Sequence, residues 1–239
     1  MSSFKPKTRV ERELTRQLMK IAERSGGILS QYIRRLPDGS VEITDIAALS
    51  VALGRYVKQL EPWAIETATK VIQQISAQNL AAWKATGVAI GLSDSLVKEA
   101  AAALLREQVD LIKSIPTRMA ERAQSLALEA QKTGARASVI AAEIENSTKV
   151  AQSRAVLIAR TEIAKANATL TQARAQSVGA THYVWRTAGD NDVRETHAEL
   201  DGKVFAFDDP PYIDGEGNHH AGEFPNCRCY AEPILTNNT

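Results

Sequence analysis

The feature that most constrains the fold is a segment of about thirty residues, 147–178, that contains neither proline nor glycine. It reads STKVAQSRAVLIARTEIAKANATLTQARAQSV and is rich in alanine, the residue with the highest helix propensity. We therefore predict one long helix over this segment. Gly179 follows it and is expected to adopt the left-handed conformation that commonly ends a helix.

The composition of the remaining chain also favours helices. Apolar residues make up 44% of the 239 residues and aromatic residues only 5%, so a core would consist mainly of alanine, leucine, isoleucine and valine. Pro62 and Pro116 are each expected to separate two helices. The apolar spacing predicts further helices over 7–24 (ended by SGG at 25–27), 46–60 (capped by Asp45), 63–83, 92–115, 116–132 and 137–146. A short apolar segment, 28–36, runs into a turn at 37–40.

The character of the sequence changes at residue 180. Alternating β-rich segments predict strands at 181–187, 203–207 and 227–235, with helical turns at 193–200 and a long loop at 208–226. The predicted fold is thus mainly α, with a small α+β module at the C-terminal end that contains a short antiparallel sheet. We divide the chain into a helical region 1–115, a helical region 116–179 that includes the long helix, and the module 180–239.

Charge is distributed unevenly, although the net charge is only +1. Residues 1–40 carry nine Lys/Arg against four Asp/Glu, whereas residues 181–239 carry four against eleven. Such asymmetry indicates different partners for the two ends, or a contact between them, and does not by itself indicate nucleic-acid binding. The basic residues best placed to contact a partner are Lys5, Lys7, Arg9, Arg12 and Arg16.

Nothing in the sequence indicates a membrane or secreted protein. No stretch approaches the eighteen or so apolar residues that span a bilayer, and the N-terminal residues lack the apolar core of a secretory signal. We expect a soluble protein made in a reducing cytosol. Cys227 and Cys229 are then free or metal-bound rather than bridged.

The two cysteines lie in the sequence FPNCRCYAEP, residues 224–233. On a strand, residues two apart point to the same face, so both sulfurs would lie side by side. A disulfide between them would close a strained ring. Two interpretations stay open: buried free thiols, or a zinc site that His197, His219 and His220 complete, because zinc prefers four thiolate and imidazole ligands. The ligand set we favour is His197, His220, Cys227 and Cys229.

Enzymatic interpretations fit less well. A His-Asn-His nuclease could use His197, Asn226 and His219, but no helix follows the last strand. A thiol-dependent enzyme could pair Cys227 or Cys229 with His197, but neither cysteine begins a helix that would lower the thiol pKa. We expect no enzymatic activity.

Two further polar groups need an explanation. Arg160 and Glu162, in ARTE at 159–162, are either a solvated pair or an anchor that bonds the long helix to the turns of the sheet. The acidic stretch from Asp190 to Asp201 could bind a cation or do acid/base work. Turn chemistry is the simpler explanation, since Asn-Asp and Asp-Gly sequences are common in turns.

Taken together and in order, these segments resemble the phage Mu protein F-like family of minor head proteins. The resemblance covers about 150–233. The matching residues in this chain are Ala159, Arg160, Thr161, Glu162, Asn167, Gly179, Trp185, Asp190, Arg194, His197, Asp201, Gly202 and 225–229 (PNCRC). His219 and His220 lie in the variable loop outside the motif.

The resemblance implies a virion component of a tailed bacteriophage, made in the bacterial cytoplasm and located inside the head near the portal. Its implied partners are the portal and major capsid proteins, and packaged double-stranded DNA. Its implied roles are head morphogenesis and DNA packaging or ejection, with no membrane in the assembled head. The basic N-terminal residues would then contact the portal or DNA phosphates. The alternative is a metal-dependent nuclease or thiol-dependent module for phage DNA processing or entry.

Overall fold

A computed structural model of the chain describes residues 4–6, 8–37, 41–87, 95–133 and 137–235. The helices are α1 (Thr8–Ser30), α2 (Ile46–Lys84), α3 (Ser95–Thr133), α4 (Ala137–Ser177) and the short α5 (Glu195–Ala198). The strands are β1 (Ile33–Arg35), β2 (Val41–Ile43), β3 (His182–Arg186), β4 (Val204–Ala206), β5 (Tyr212–Ile213), β6 (Gly217–Asn218) and β7 (Tyr230–Pro233). Among these described residues, no helix is long and apolar enough to cross a membrane.

Strand pairing is antiparallel throughout the described residues. The largest sheet has the order β4-β3-β7, in which Tyr183 pairs with Phe205 on one side and with Pro233 on the other. β1 pairs with β2, and β5 pairs with β6, as two separate hairpins. The predicted mainly α fold with a small C-terminal antiparallel sheet is confirmed.

The chain folds as two compact units, and neither is a continuous segment. Unit 1 comprises Met1–Arg12, Ala68–Gln108 and Ala159–Thr239, and unit 2 comprises Glu13–Thr67 and Val109–Ile158. The division into 1–115, 116–179 and 180–239 stays a prediction.

Unit 2 contains segments of the four long helices together with the β1-β2 hairpin, and its core is aliphatic. Leu14 and Leu18 on α1 are buried, as are Leu49, Leu53 and Ile112. Unit 1 has a more aromatic core, in which Trp83, Tyr183 and Trp185 are fully buried. Phe4 packs edge-on against Trp83 with ring centroids 5.3 Å apart.

Two predicted helix ends are confirmed. The backbone N–H of Ala48 donates a 2.8 Å hydrogen bond to Asp45 Oδ1, which caps the start of α2. Gly179 has φ +74°, and the N–H of Ala180 donates to the carbonyl of Ala175 at 2.8 Å. Together these features form a glycine C-terminal cap at the end of α4.

The predicted helix breaks at the prolines are wrong. Pro62 lies inside α2, so 46–60 and 63–83 are one helix. Pro116 lies inside α3, so the described part of 92–115 and the segment 116–132 are one helix, while residues 92–94 lie outside the described part of the chain. Leu60 and Ala64 are buried around the first proline, as are Ile115 and Met119 around the second. Tertiary packing on both sides outweighs the roughly 3 kcal/mol that an interior proline costs.

The break expected between 137–146 and 147–178 is also wrong, because α4 is continuous from Ala137 to Ser177. The Ser147 hydroxyl does not cap a new helix. It donates back to the carbonyl of Glu143 at 3.1 Å, the i−4 bond of a serine within a helix.

The first predicted helix does not end at SGG either, since α1 continues to Ser30. Ser25 is buried and donates to the carbonyl of Ile21 at 2.8 Å. Gly26 lies against Thr148, whose hydroxyl oxygen and methyl group would overlap a Cβ at that position. Gly26 thus allows close packing rather than a turn. The hairpins β1-β2 and β5-β6 were not predicted, and of the turn predicted at 37–40, residues 38–40 lie outside the described part of the chain.

The contact at Gly26 yields a prediction about stability. Gly26→Ala should lower the free energy of unfolding by about 1–3 kcal/mol, because the added methyl group overlaps Thr148. A Cβ at the neighbouring Gly27 would meet no atom within 4 Å, so Gly27→Ala should instead stabilise the helix by about 0.5–1 kcal/mol.

Urea denaturation of both variants measures these effects. Thr148→Ala in the Gly26→Ala background should recover most of the loss, since it removes the two closest atoms. Equal effects at Gly26 and Gly27 would contradict the packing argument.

Candidate metal centre

Three potential metal ligands converge inside unit 1. The Sγ atoms of Cys227 and Cys229 lie 3.4 Å and 3.6 Å from Nδ1 of His197. All three donor atoms lie within 4.8 Å of one another. Each of the three residues is at most 3% exposed, so the donors face one another and not solvent.

These distances fit a tetrahedral zinc site. Zinc–sulfur bonds of about 2.3 Å and zinc–nitrogen bonds of about 2.0–2.1 Å place neighbouring sulfur and nitrogen ligands about 3.6 Å apart. The two observed sulfur–nitrogen distances are close to that value. Two thiols and one imidazole are also the donor set that zinc prefers.

The cysteines do not lie on a strand, so the prediction of a strand over 227–235 is wrong at its start. β7 begins only at Tyr230. Asn226 has φ +61°, which turns the chain immediately before Cys227. The N–H of Cys229 then donates to Sγ of Cys227 at 3.4 Å. This local turn, rather than strand alternation, brings the two sulfurs together.

Helix α4 positions this turn. Thr161 Oγ1 accepts a 3.1 Å hydrogen bond from the N–H of Asn226. Gly222 has φ +96°, and a Cβ there would be 2.9 Å from the carbonyl oxygen of Cys229 and 3.3 Å from that of Ala164. Only glycine combines that conformation with so close an approach to α4.

His197 is held from two other sides. Its ring stands perpendicular to the ring of Trp185, with centroids 5.5 Å apart. Its Nε2 lies 2.8 Å from Oε2 of Glu216. With Nε2 bonded to the carboxylate, Nδ1 is the nitrogen that faces the sulfurs.

Hydrogen bonds within the cluster shift the pKa values of the two thiols in opposite directions. Hydrogen bonds from Cys229 and His197 lower the pKa of the Cys227 thiol, although burial opposes them. The bond to Cys227 and burial raise the pKa of Cys229. The bond to Cys227, and then the one to Glu216, raise the pKa of His197 against the effect of burial. A metal ion would displace the protons that these groups share.

The other predicted histidine ligand lies elsewhere. Nδ1 of His220 is 3.1 Å from the hydroxyl oxygen of Tyr183, and His220 does not belong to the three-residue cluster. Nε2 of His219 donates to the carbonyl of Glu216 at 2.6 Å. The described residues thus bring together three of the expected ligands: His197, Cys227 and Cys229.

The residues of the ARTE sequence at 159–162 contact different parts of the chain. Arg160 Nε is 3.5 Å from Glu11 Oε1 on α1, while Thr161 makes the contact with the cysteine turn. Glu162 is buried, and its neighbours include Glu107 and Lys165, whose side chains form a 2.5 Å ion pair. Of the motif residues on α4, Thr161 is thus the one that bonds to the C-terminal module.

The acidic stretch makes contacts typical of turns. Arg228 donates to Asp190 Oδ1 at 2.7 Å and to Asp192 Oδ2 at 3.1 Å. Asp201 Oδ1 accepts the N–H of Thr187 at 2.7 Å, next to Gly202 with φ +80°. These carboxylates are used to fix the loops between strands.

The basic residues near the N-terminus differ in their surroundings. Lys5 donates to the carbonyl of Ala188 at 2.9 Å. Arg16 makes two bonds to the Glu13 carboxylate, at 2.8 Å and 2.9 Å. Arg9 and Arg12 are exposed on α1, and Lys7 lies outside the described residues.

Sequence reasoning missed Glu216. It lies in the glycine-rich loop, 19 residues after His197, and no motif or spacing distinguishes it from the other acidic residues there. The contact of Glu216 with the His197 imidazole depends on the β5-β6 hairpin, which places the carboxylate beside the ring.

Residues 121–232, a little under half of the chain, match the family model described as phage Mu protein F like protein. The match confirms the resemblance to this family that the motif predicts. It covers the α4 motif and all three residues of the metal-ligand cluster.

A curated protein of Haemophilus influenzae (strain ATCC 51907 / DSM 11121 / KW20 / Rd), named only as an uncharacterized protein, is 38% identical over 142 residues. The alignment covers 59% of this chain and 31% of that protein, so the chain spans less than a third of its relative. No solved structure matches the chain.

The burial of Glu162 yields a prediction about pH. Burial, and then the charge of Glu107, raise the pKa of Glu162 to about 7 from an ordinary value of 4.5. The folded state therefore holds a proton that the unfolded state releases, and stability falls as pH rises between these values. Glu162→Gln should stabilise the protein more at pH 8 than at pH 5, by about 2 kcal/mol.

Denaturation curves at the two pH values test this difference. Glu99→Gln, at an exposed position on α3, is the matched control and should show no such pH dependence. A Glu162→Gln effect that is the same at both pH values would contradict a buried, protonated Glu162.

Proposed function

We propose that this chain is a minor head protein of a tailed bacteriophage that associates with the portal and acts in head morphogenesis, with DNA packaging or ejection as the process it serves. The observation that carries the proposal is the family match over 121–232, which includes both the α4 motif and the cysteine turn. Its partners would be the portal and major capsid proteins. Arg9 and Arg12, exposed on α1, are candidates for contact with portal or DNA phosphates.

We also propose that a zinc ion cross-links the C-terminal module, and we call this structural metal site the zinc staple. His197, Cys227 and Cys229 supply three of the four ligands, and a water molecule would complete the tetrahedron. Zinc would link α5 to the turn before β7, two short elements with little regular structure of their own. The role is structural because each ligand is at most 3% exposed, which leaves little access for a substrate.

Mutant phage particles test the head-protein role. In a phage that encodes this chain, deletion of its gene should yield fewer intact, DNA-filled heads, and the wild-type gene supplied in trans should restore them. Mass spectrometry of purified procapsids should find the chain at low copy with the portal. Normal infectious heads without the chain, or its absence from procapsids, would contradict the proposal.

Metal analysis tests the zinc staple. The purified protein should contain one zinc per chain, and a strong chelator should lower the Tm by about 5–10 °C. Cys227→Ser and Cys229→Ser should lose the metal. His220→Gln should keep it, because His220 lies outside the cluster and glutamine can still bond to Tyr183.

A catalytic metal centre is the competing function, since catalytic zinc also uses three protein ligands and a water molecule. Nuclease assays of the zinc-loaded protein and of His197→Ala distinguish the two. We expect no cleavage by either protein. Metal-dependent cleavage that His197→Ala abolishes would overturn the structural role.

A further inference from the structure

A ring of polar contacts includes the metal-ligand cluster, which consists of His197, Cys227 and Cys229. Its first link is His197, whose Nδ1 faces the two sulfurs while Nε2 lies 2.8 Å from Oε2 of Glu216. The side chain of Glu216 is only 11% exposed. Such a carboxylate–imidazole contact is far less screened by water than a surface ion pair.

Arg194 continues the chain from Glu216 to the cysteine turn. Its Nε lies 3.3 Å from Oε1 of Glu216, the carboxylate oxygen that His197 does not use. Its Nη2 donates to the carbonyl of Pro225 at 2.8 Å, two residues before Cys227. The guanidinium also lies over the ring of Phe224, 5.0 Å from its centroid. The planar guanidinium of Arg194 thus contacts both the Glu216 carboxylate and the backbone of the turn that carries the two cysteines.

Arg194 is also joined to the histidine through the backbone. It is the residue that precedes α5, and its carbonyl accepts the N–H of His197 at 3.0 Å. The contacts therefore form a loop that runs from His197 to Glu216, to Arg194, to Pro225 and back through Cys227 to the imidazole. A shift of any member would move a ligand atom.

We propose that Glu216 and Arg194 are positioning residues of the metal centre, which set the tautomer of His197 and its distance from the cysteine turn. The inference rests on the proposed zinc staple and deepens it. A metal-bound Nδ1 requires the proton on Nε2, and the Glu216 carboxylate is the acceptor for that proton. Arg194 neutralises the carboxylate and fixes its separation from Pro225.

Metal affinity of conservative variants tests this role. Glu216→Gln keeps the size of the side chain but loses the charge, and should weaken zinc binding about 10–100-fold in competition with a chromophoric chelator. Asp214→Asn is the matched control, because it removes the same charge from an exposed position two residues away. It should leave the affinity within about twofold of wild type.

Arg194→Lys distinguishes geometry from charge. Lysine keeps the positive charge but cannot reach both Glu216 and Pro225 with fixed planar geometry. We expect a loss of affinity similar to that of Glu216→Gln. Full affinity in Arg194→Lys would mean that charge alone suffices and would overturn the positioning role of Arg194.

The spectrum of the cobalt-substituted protein separates positioning from general stability. Both variants should show altered ligand-field bands in the visible region, while the circular dichroism of the metal-free variants matches that of metal-free wild type. Unchanged affinity and spectra in Glu216→Gln, with wild type binding zinc, would overturn this inference and leave the staple intact. Failure of wild type to bind zinc would overturn both.

Discussion

The contact on which the site depends is the approach of the cysteine segment to the backbone of α4. Gly222 fits between the carbonyl of Cys229 and that of Ala164, where a Cβ would be 2.9 Å and 3.3 Å from the two oxygens. Thr161 adds a hydrogen bond to Asn226 at the next turn. Because α4 is one continuous helix, it provides a rigid surface for this segment. This approach to α4 sets the positions of the Cys227 and Cys229 thiols, and the His197 imidazole completes the cluster.

Much of the fold could be predicted because local signals agreed with it. The alanine-rich segment without proline or glycine predicted the C-terminal part of α4, and Gly179 predicted its end. Pro62 and Pro116 misled the prediction because their local cost is smaller than the packing gained by the buried side chains around them. At Gly26 the sequence does not distinguish a turn from a close contact between helices, because a glycine suits both.

The candidate site could be predicted only in part, because residue types indicate its ligands but not how they come together. Cys227, Cys229 and His197 attract notice by residue type, whereas their convergence depends on a turn at Asn226 and not on the strand expected there. Glu216 gives no local signal, since its meeting with His197 results from the hairpin β5-β6. A residue that positions a metal ligand through contact with its side chain is therefore hard to identify from a single sequence. The match of residues 121–232 to the phage Mu protein F-like family assigns no role to these side chains.

The proposed zinc staple requires that the cluster bind the metal through two sulfurs and one nitrogen of the protein. X-ray absorption at the zinc edge of the purified protein measures this shell directly. We expect two sulfur atoms at about 2.3 Å from the zinc and lighter atoms at about 2.0–2.1 Å. A shell of nitrogen and oxygen alone, or a protein that holds no zinc when saturated and washed, would contradict it.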